Sequence, residues 1–376
     1  MLPGYQRAYL ITGMLAFMVS CSIENSTSPA TAYSPVPVPD LTPEQLLGQE
    51  IFSDDTLSEP AGQSCASCHD ENVGFASPPT IMTGGVSEGV VPGRFGLRNA
   101  PTAAYALFSP LPFFDPEPGT LVGGQFLDHR AADLEEQARG PFLNPDEMAN
   151  PDRSTVVNKL RNRPYADRFR ALYGADIFAD VDRAYVAMSR AIAAYERSPE
   201  FSPFSSKFDA YIRGRANLSP AELRGLAVFR DPFKGNCEAC HLSTGDAPLF
   251  TDFTNDNIGV PRNLTTPAYA GNPALVDRGL GTVLNDVQYD GRFKVQTLRN
   301  VALTAPYMHN GLFTTLEDVV RFYNTACAPG NPDGWDAPEV PDTRNCNELG
   351  NLKLSDQEIA DLVAFLHTLT DGYLPR

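Results

Sequence analysis

Cys65-Ala66-Ser67-Cys68-His69 and Cys237-Glu238-Ala239-Cys240-His241 set the same chemical groups at the same spacing, twice in one chain. Two cysteines with two residues between them, followed directly by histidine, form the attachment site of a c-type haem: both sulfurs become thioethers and the imidazole binds iron. The chain is therefore expected to carry two covalently bound haem c groups on Cys65, Cys68, Cys237 and Cys240, with His69 and His241 on the two irons. The competing uses, a four-Cys zinc site or two redox Cys-X-X-Cys pairs, need no histidine after each pair.

The elements that must hold these groups repeat as well. Leu41-Thr42-Pro43-Glu44-Gln45 through Phe52 aligns with Leu218-Ser219-Pro220-Ala221-Glu222 through Phe229 at a constant offset. Each copy starts with a hydroxyl N-cap, proline at the first helical position and Gln or Glu at the third, which predicts a capped helix leading the chain to a haem site. Gly48 and Gly225 occupy equivalent positions and suit close helix packing. Val181 to Arg197 carries apolar residues at helical spacing, and Ser355-Asp356-Gln357-Glu358 is a capping box opening a helix through Leu369. Strand-like alternation is scarce, and Phe75 to Pro118 reads as a long Gly/Pro-bearing loop. The expected fold is mostly α: two cytochrome-c-like haem domains with long loops, related by duplication, over roughly residues 41–210 and 211–376.

Arg7 and the apolar run Ala8 to Val19, ending in Met18-Val19-Ser20-Cys21, read as a lipoprotein signal peptide over residues 1–21. Cys21 would be the lipidated first residue of the mature chain, and Ser22 suits sorting to the outer membrane; an ordinary signal peptide cut nearby is the alternative. Either reading places the protein in the periplasm. Residues 22–40, rich in Ser, Thr, Ala and Pro, read as an extended tether. Of seven cysteines, one for lipid and four for haem leave Cys327 and Cys346. In an oxidising compartment these two are expected to pair around the insertion holding Trp335, closing a loop worth about 3 kcal/mol; two free thiols are the alternative. A net charge of −17 argues against nucleic acid and toward a cationic or locally basic partner.

Further blocks carry a resemblance. Arg98-Asn99-Ala100-Pro101-Thr102, Gln125-Phe126-Leu127-Asp128-His129-Arg130-Ala131, Leu134-Glu135-Glu136-Gln137-Ala138, Glu147-Met148, and Thr297-Leu298-Arg299-Asn300 through Met308-His309-Asn310-Gly311, together with both haem motifs, resemble the bacterial dihaem cytochrome c peroxidases and their relative MauG over about residues 41–370. The resemblance implies a peroxide-reactive N-terminal haem, an electron-handling C-terminal haem and a calcium ion between the domains. It makes Glu135 the general acid/base of peroxide cleavage and Gln125 the neutral group that orients peroxide. It gives the calcium Asn99 through its side chain and Thr304 and Pro306 through their carbonyls, with water completing an oxygen shell.

The chain departs from the family in three places. Many of these peroxidases cap the resting N-terminal iron with a histidine, but no histidine lies between His69 and His129, and Val90 aligns with the capping position. The N-terminal haem is thus expected to keep an open sixth position. His129 stands where glycine is usual, as either a distal-pocket group or a structural histidine. Tyr323, fourteen residues after His309, replaces the peroxidases' methionine ligand and matches MauG. A phenolate there favours high oxidation states of iron, whereas a thioether favours the reduced state; a buried core tyrosine is the bland alternative, with Met308 and Met188 as fallback ligands. The only tryptophan, Trp335, lies in the insertion rather than between the haems, leaving Tyr105, Phe108, Phe113 and Phe114 as packing residues or a route for charge.

Three functional classes follow. The first is a peroxidase taking electrons from a small cytochrome or cupredoxin. The second is a MauG-like oxidase acting on a partner protein, and the third a dihaem electron carrier without oxygen chemistry. The resemblance also allows a homodimer.

Overall fold

In the computed structural model, residues 40–374 apart from Pro118 are described. The leader and nearly all of the tether lie outside these residues. Thr42 and Ser219 each cap a helix, Pro43–Phe52 and Pro220–Arg230, through reciprocal bonds with Gln45 and Glu222. These boxes satisfy backbone N–H groups that the first helical turn leaves unpaired. Each capped helix then crosses a later one at its glycine. Pro43–Phe52 packs on Val181–Glu196, and Pro220–Arg230 packs on Asp356–His367. A Cβ on Gly48 would stand 1.9 Å from the Ala191 carbonyl oxygen, and one on Gly225 would stand 1.9 Å from that of Asp361. Backbone is touching backbone at both crossings, so no side chain fits there.

The apolar core divides along the same lines. One cluster runs from Leu47 to Phe201 and a second from Phe208 to Leu369. The helix Lys207–Ile212 buries Phe208 in the second cluster, so the change of core falls a few residues before the expected boundary at 210. A third, small cluster of Val260, Phe313 and Phe322 receives Trp335, whose indole N–H donates to Thr325 Oγ1. Cys327 and Cys346 form a disulfide that closes this insertion. The free-thiol alternative is thereby set aside.

The remaining regular structure is short. The described residues hold three two-stranded antiparallel sheets: Met82–Thr83 with Val86–Ser87, Phe113–Asp115 with Thr120–Val122, and Asn255–Asp256 with Phe293–Lys294. The second hairpin falls at the end of the stretch read as loop. Its Phe113 and Phe114 are 49% and 56% exposed, which removes them from any buried route for charge. Tyr105, by contrast, is buried and donates its hydroxyl to Asp371 at 2.8 Å.

Loops of this length are pinned by buried charge. Arg299 is fully buried and makes two 2.9 Å bonds to Asp209, with Tyr105, Phe204 and Phe250 around its guanidinium. Removing one partner of such a pair leaves an uncompensated buried charge and costs about 3–5 kcal/mol.

The two glycine crossings yield a direct test. Gly48→Ala and Gly225→Ala each force a helix pair apart and are expected to cost on the order of 3 kcal/mol, the upper end of overpacking. Thermal unfolding of the two variants should show loss of stability in both; a wild-type transition in either would mean that the crossing relaxes freely.

Candidate functional site

Both haem motifs orient their histidine by the same device. His69 follows the short helix Cys65–Cys68, and its Nδ1 meets the Phe75 carbonyl at 3.0 Å. His241 follows the turn Cys237–Ala239, and its Nδ1 meets the Phe250 carbonyl at 2.8 Å. Donation through Nδ1 fixes the tautomer that leaves Nε2 as a lone pair for iron. Burial pushes both imidazoles below their usual pKa, which keeps them in the neutral, ligating form. Phe75 and Phe250 present these carbonyls from left-handed backbone, at φ 57° and 54°.

Cys65, Cys68 and His69 line one cavity, and Cys237, Cys240 and His241 line another. The two cysteine pairs therefore do not converge on a single four-thiolate site. Each cavity instead holds two thiols and one oriented imidazole, the donor set that covalent haem requires.

In the N-terminal cavity the wall carries Gln125, Arg130, Glu147 and Glu196. Gln125 is held at both ends: its N–H donates to the Ala131 carbonyl at 2.7 Å and its Nε2 to the Ala106 carbonyl at 3.1 Å. Arg130 stacks its guanidinium 3.5 Å from the Phe126 ring centroid. Glu135 is the second residue of the helix Leu134–Leu143, four of whose residues, Leu134, Gln137, Ala138 and Pro141, line the cavity. Its own carboxylate turns outward instead, 3.5 Å from Arg197. Among the carboxyl-bearing residues of the wall, which also include Glu88, Asp128 and Asp146, burial raises Glu147 above its usual pKa and pushes Glu196 up to about 8. Glu196 Oε2 is buried with no hydrogen-bond partner among the described residues. Sequence reasoning missed Glu196, although a signal existed: it continues the buried face Met188 and Ile192 of its helix at a spacing of four, where an apolar residue is expected.

His69 is the one imidazole among the described residues lining this cavity. Val90 lies outside the lining and donates its N–H to the Glu147 carbonyl at 2.9 Å. His129 is buried, holds the Gly123 carbonyl through Nδ1, and contributes nothing to the cavity wall. Of its two readings, the structural one describes this geometry.

Tyr323 lies on the helix Leu316–Thr325 and lines the C-terminal cavity together with Val319, Val320 and His241. Burial pushes its phenol pKa upward, so ionisation there requires a compensating cation such as ferric iron. Met308 lines the same cavity, whereas Met188 is fully buried in the N-terminal core and lines neither. Asn99, Thr304 and Pro306 also line it, with Asn99 Nδ2 donating to the Pro306 carbonyl at 2.6 Å. His309 stacks on Phe293 at 3.8 Å between ring centroids, with Glu339 3.7 Å from its Nε2.

The two cavities share a wall. Asn99, Ala100, Pro101, Thr102 and Leu127 line both, and a smaller cavity bounded by Tyr105, Gln125, Phe126 and Lys294 lies beside that wall. Two separately attached redox groups would thus be held a few residues apart, one of them beside the polar wall of Gln125, Arg130, Glu147 and Glu196.

Comparison with known proteins agrees with this geometry. Residues 43–217 match the family described as di-haem cytochrome c peroxidase. The chain is 43% identical over 343 residues to the methylamine utilization protein MauG of Paracoccus denitrificans, covering 86% of this chain and 88% of that protein. It is 31% identical to the cytochrome c551 peroxidase of Pseudomonas aeruginosa over 89% of this chain and 80% of that one. The solved structure of the diheme peroxidase BthA from Burkholderia thailandensis superposes with a TM-score of 0.82 at 37% identity, covering 91% of this chain and 90% of that one. With two haem-binding cavities sharing one wall, and relatives covering nearly its whole length, the chain belongs to the dihaem cytochrome c peroxidase family that includes MauG and is an oxidoreductase carrying two c-type haems.

Proposed function

We propose that this chain is an exported, periplasmic oxidoreductase that reacts with hydrogen peroxide at its N-terminal haem site, and that Cys21 anchors it by lipid to the outer membrane. The observation that carries the reading is a cavity with one imidazole, that of His69, and a Gln125 amide fixed in its wall. Bound haem supplies an iron that gives up electrons as the O–O bond breaks.

The residues around it do the rest. Gln125 offers a donor and an acceptor on one side chain, which suits it to orient peroxide. Glu135 carries a proton from the near oxygen to the leaving one, work worth 10²–10⁴-fold in rate. Its pairing with Arg197 is long and half-exposed, and exposed pairs of this kind contribute at most about 1 kcal/mol. Turning the carboxylate from Arg197 into the cavity is therefore cheap. Glu147, already in the wall, is the competing proton carrier.

At the C-terminal site we assign Tyr323, which shares the cavity wall with His241, as the residue that would bind the iron of a bound haem together with that histidine. The cavity lining by Tyr323 and the 43% identity to MauG, against 31% to the Pseudomonas peroxidase, favour a MauG-like use of the oxidising equivalents on a partner protein. The other reading spends them on electrons from a small cytochrome or cupredoxin. Calcium is assigned to Asn99, Thr304 and Pro306, where a side-chain amide and a carbonyl already meet; an Asn99 flip would present its oxygen instead. The matched helix crossings at Gly48 and Gly225 support an origin of the two haem domains by duplication.

Three outcomes check these assignments. The oxidised protein should give a high-spin ferric signal from the N-terminal haem and bind cyanide without prior reduction; a purely low-spin resting protein would contradict the open site. Glu135→Gln should slow the peroxide reaction at least about a hundredfold with both haems still attached, whereas the same loss in Glu147→Gln alone would transfer the role to Glu147. Tyr323→Met should raise the C-terminal haem potential, because thioether donates less charge to ferric iron than phenolate does. Spectroelectrochemistry reads this, and an unchanged potential would remove Tyr323 from the iron.

A further inference from the structure

Lys294 sits where the two halves meet and is bonded in a way its position does not require. It belongs to the short strand Phe293–Lys294 of the C-terminal half and lines both the C-terminal haem cavity and the smaller cavity beside the shared wall. Its side chain crosses to the N-terminal half. Nζ donates to the Gly124 carbonyl at 2.6 Å and to Ser109 Oγ at 2.9 Å, and Ser109 Oγ itself donates to that carbonyl at 2.7 Å. The Lys294 backbone N–H donates to the Leu127 carbonyl at 2.8 Å.

These contacts bracket Gln125. Lys294 holds the carbonyl immediately before Gln125 with its ammonium and the carbonyl two residues after it with its main chain. Gly124 has φ 71°, and a Cβ there would come within 3.0 Å of the Ala131 carbonyl oxygen, so the turn is tight and cannot shift without losing the hold. The neighbouring Gly123 carbonyl is held by the His129 ring. Two consecutive carbonyls ahead of the distal glutamine are thus each bound by a basic side chain.

Lys294 also lacks a counter-charge, and burial pushes its ammonium down to about 7, so its charged form leans on its two neutral acceptors. Among the described residues no carboxylate pairs with it; both acceptors of Nζ are neutral, and Phe253 presents its ring 5.7 Å away. His129 is the titratable side chain that senses its charge, and burial pushes His129 down to about 4, so the imidazole is neutral near pH 7. A buried, unpaired cation is costly, and burial without a carboxylate favours the neutral amine, so the charge is fully present only below about pH 7. Beside a haem, positive charge favours the reduced iron because it stabilises the state with one more electron.

We propose that Lys294 is a positioning residue that couples the two haem sites: its ammonium fixes the turn that presents Gln125 to the N-terminal haem, while its charge raises the potential of the C-terminal haem. A change of charge at the C-terminal site therefore reaches Gln125 through Lys294, which lines that cavity and holds the Gly124 carbonyl. The coupling rests on the assignment of Gln125 to the distal side of the N-terminal haem.

Lys294→Gln and Lys294→Met in the dihaem protein test this. Glutamine keeps a donor for the Gly124 carbonyl and loses the charge; methionine loses both. Both variants should lower the C-terminal haem midpoint potential in a spectroelectrochemical titration at pH 6, below the pKa of about 7 to which burial pushes Lys294. In Lys294→Met the electron paramagnetic resonance spectrum of the N-terminal ferric haem should change and the peroxide reaction slow about tenfold, the loss expected from one charge-assisted hydrogen bond. Lys294→Gln should retain most of the wild-type spectrum and rate. A C-terminal potential equal to wild type in both variants overturns the proposal, as does an N-terminal spectrum in Lys294→Met equal to wild type. A wild-type protein that does not react with peroxide would defeat the functional reading alone, since neither the spectrum nor the potential depends on turnover.

Discussion

The guanidinium of Arg98 grips carboxylates from both halves of the protein. It bonds Asp128 at 2.6 Å and Asp277 at 2.6 and 2.8 Å, and all three side chains are largely buried. Asp277 lies well below its usual pKa because the desolvation penalty is outweighed by the bidentate Arg98 contact. Arg98 immediately precedes Asn99 to Thr102, the segment that lines both haem cavities. The clamp adds to the bonds that Asn99 makes to Pro306 and Thr102 to Gly74, so the common wall is tied to both halves. The position of the wall between the two haem cavities thus depends on this charged junction.

The same solution recurs wherever loop has to behave as scaffold. Arg299, in the loop after Thr297, forms a buried pair with Asp209 beside Tyr105. Haem domains of this type have little secondary structure between their helices, so backbone ladders cannot carry the load. Side-chain charges bonded to carbonyls and carboxylates take their place. Folding then depends on many long-range contacts made together rather than on local propensity.

Haem attachment and the helices that support it were legible in the chain itself because their signals are local. A Cys-X-X-Cys-His run carries its chemistry within five residues, and a hydroxyl, proline and acid at fixed offsets define a capped helix wherever they occur. Gly48 and Gly225 could be read as packing positions for the same reason: glycine at matching places in two aligned helices has few other uses. The pairing of Cys327 with Cys346 followed from counting, once the compartment was inferred.

The orientation of the polar groups was decided only in three dimensions. Glu135 and Glu147 look equivalent as acidic residues near a haem motif, yet Glu135 pairs with Arg197 while Glu147 lines the cavity from the turn that follows the Leu134–Leu143 helix, a difference set by tertiary packing of that segment. Nothing local marks Lys294 as a link between sites; its neighbours in sequence are a strand end and a loop, and its partners lie about 170 residues away. Burial of Glu196 likewise depends on what the rest of the chain folds over it. The sequence by itself determined which cofactor is held and by which residues, since covalent attachment is short-range chemistry. Only the tertiary structure decided which side chains face that cofactor, since burial and electrostatic contact are set by groups far apart in the chain.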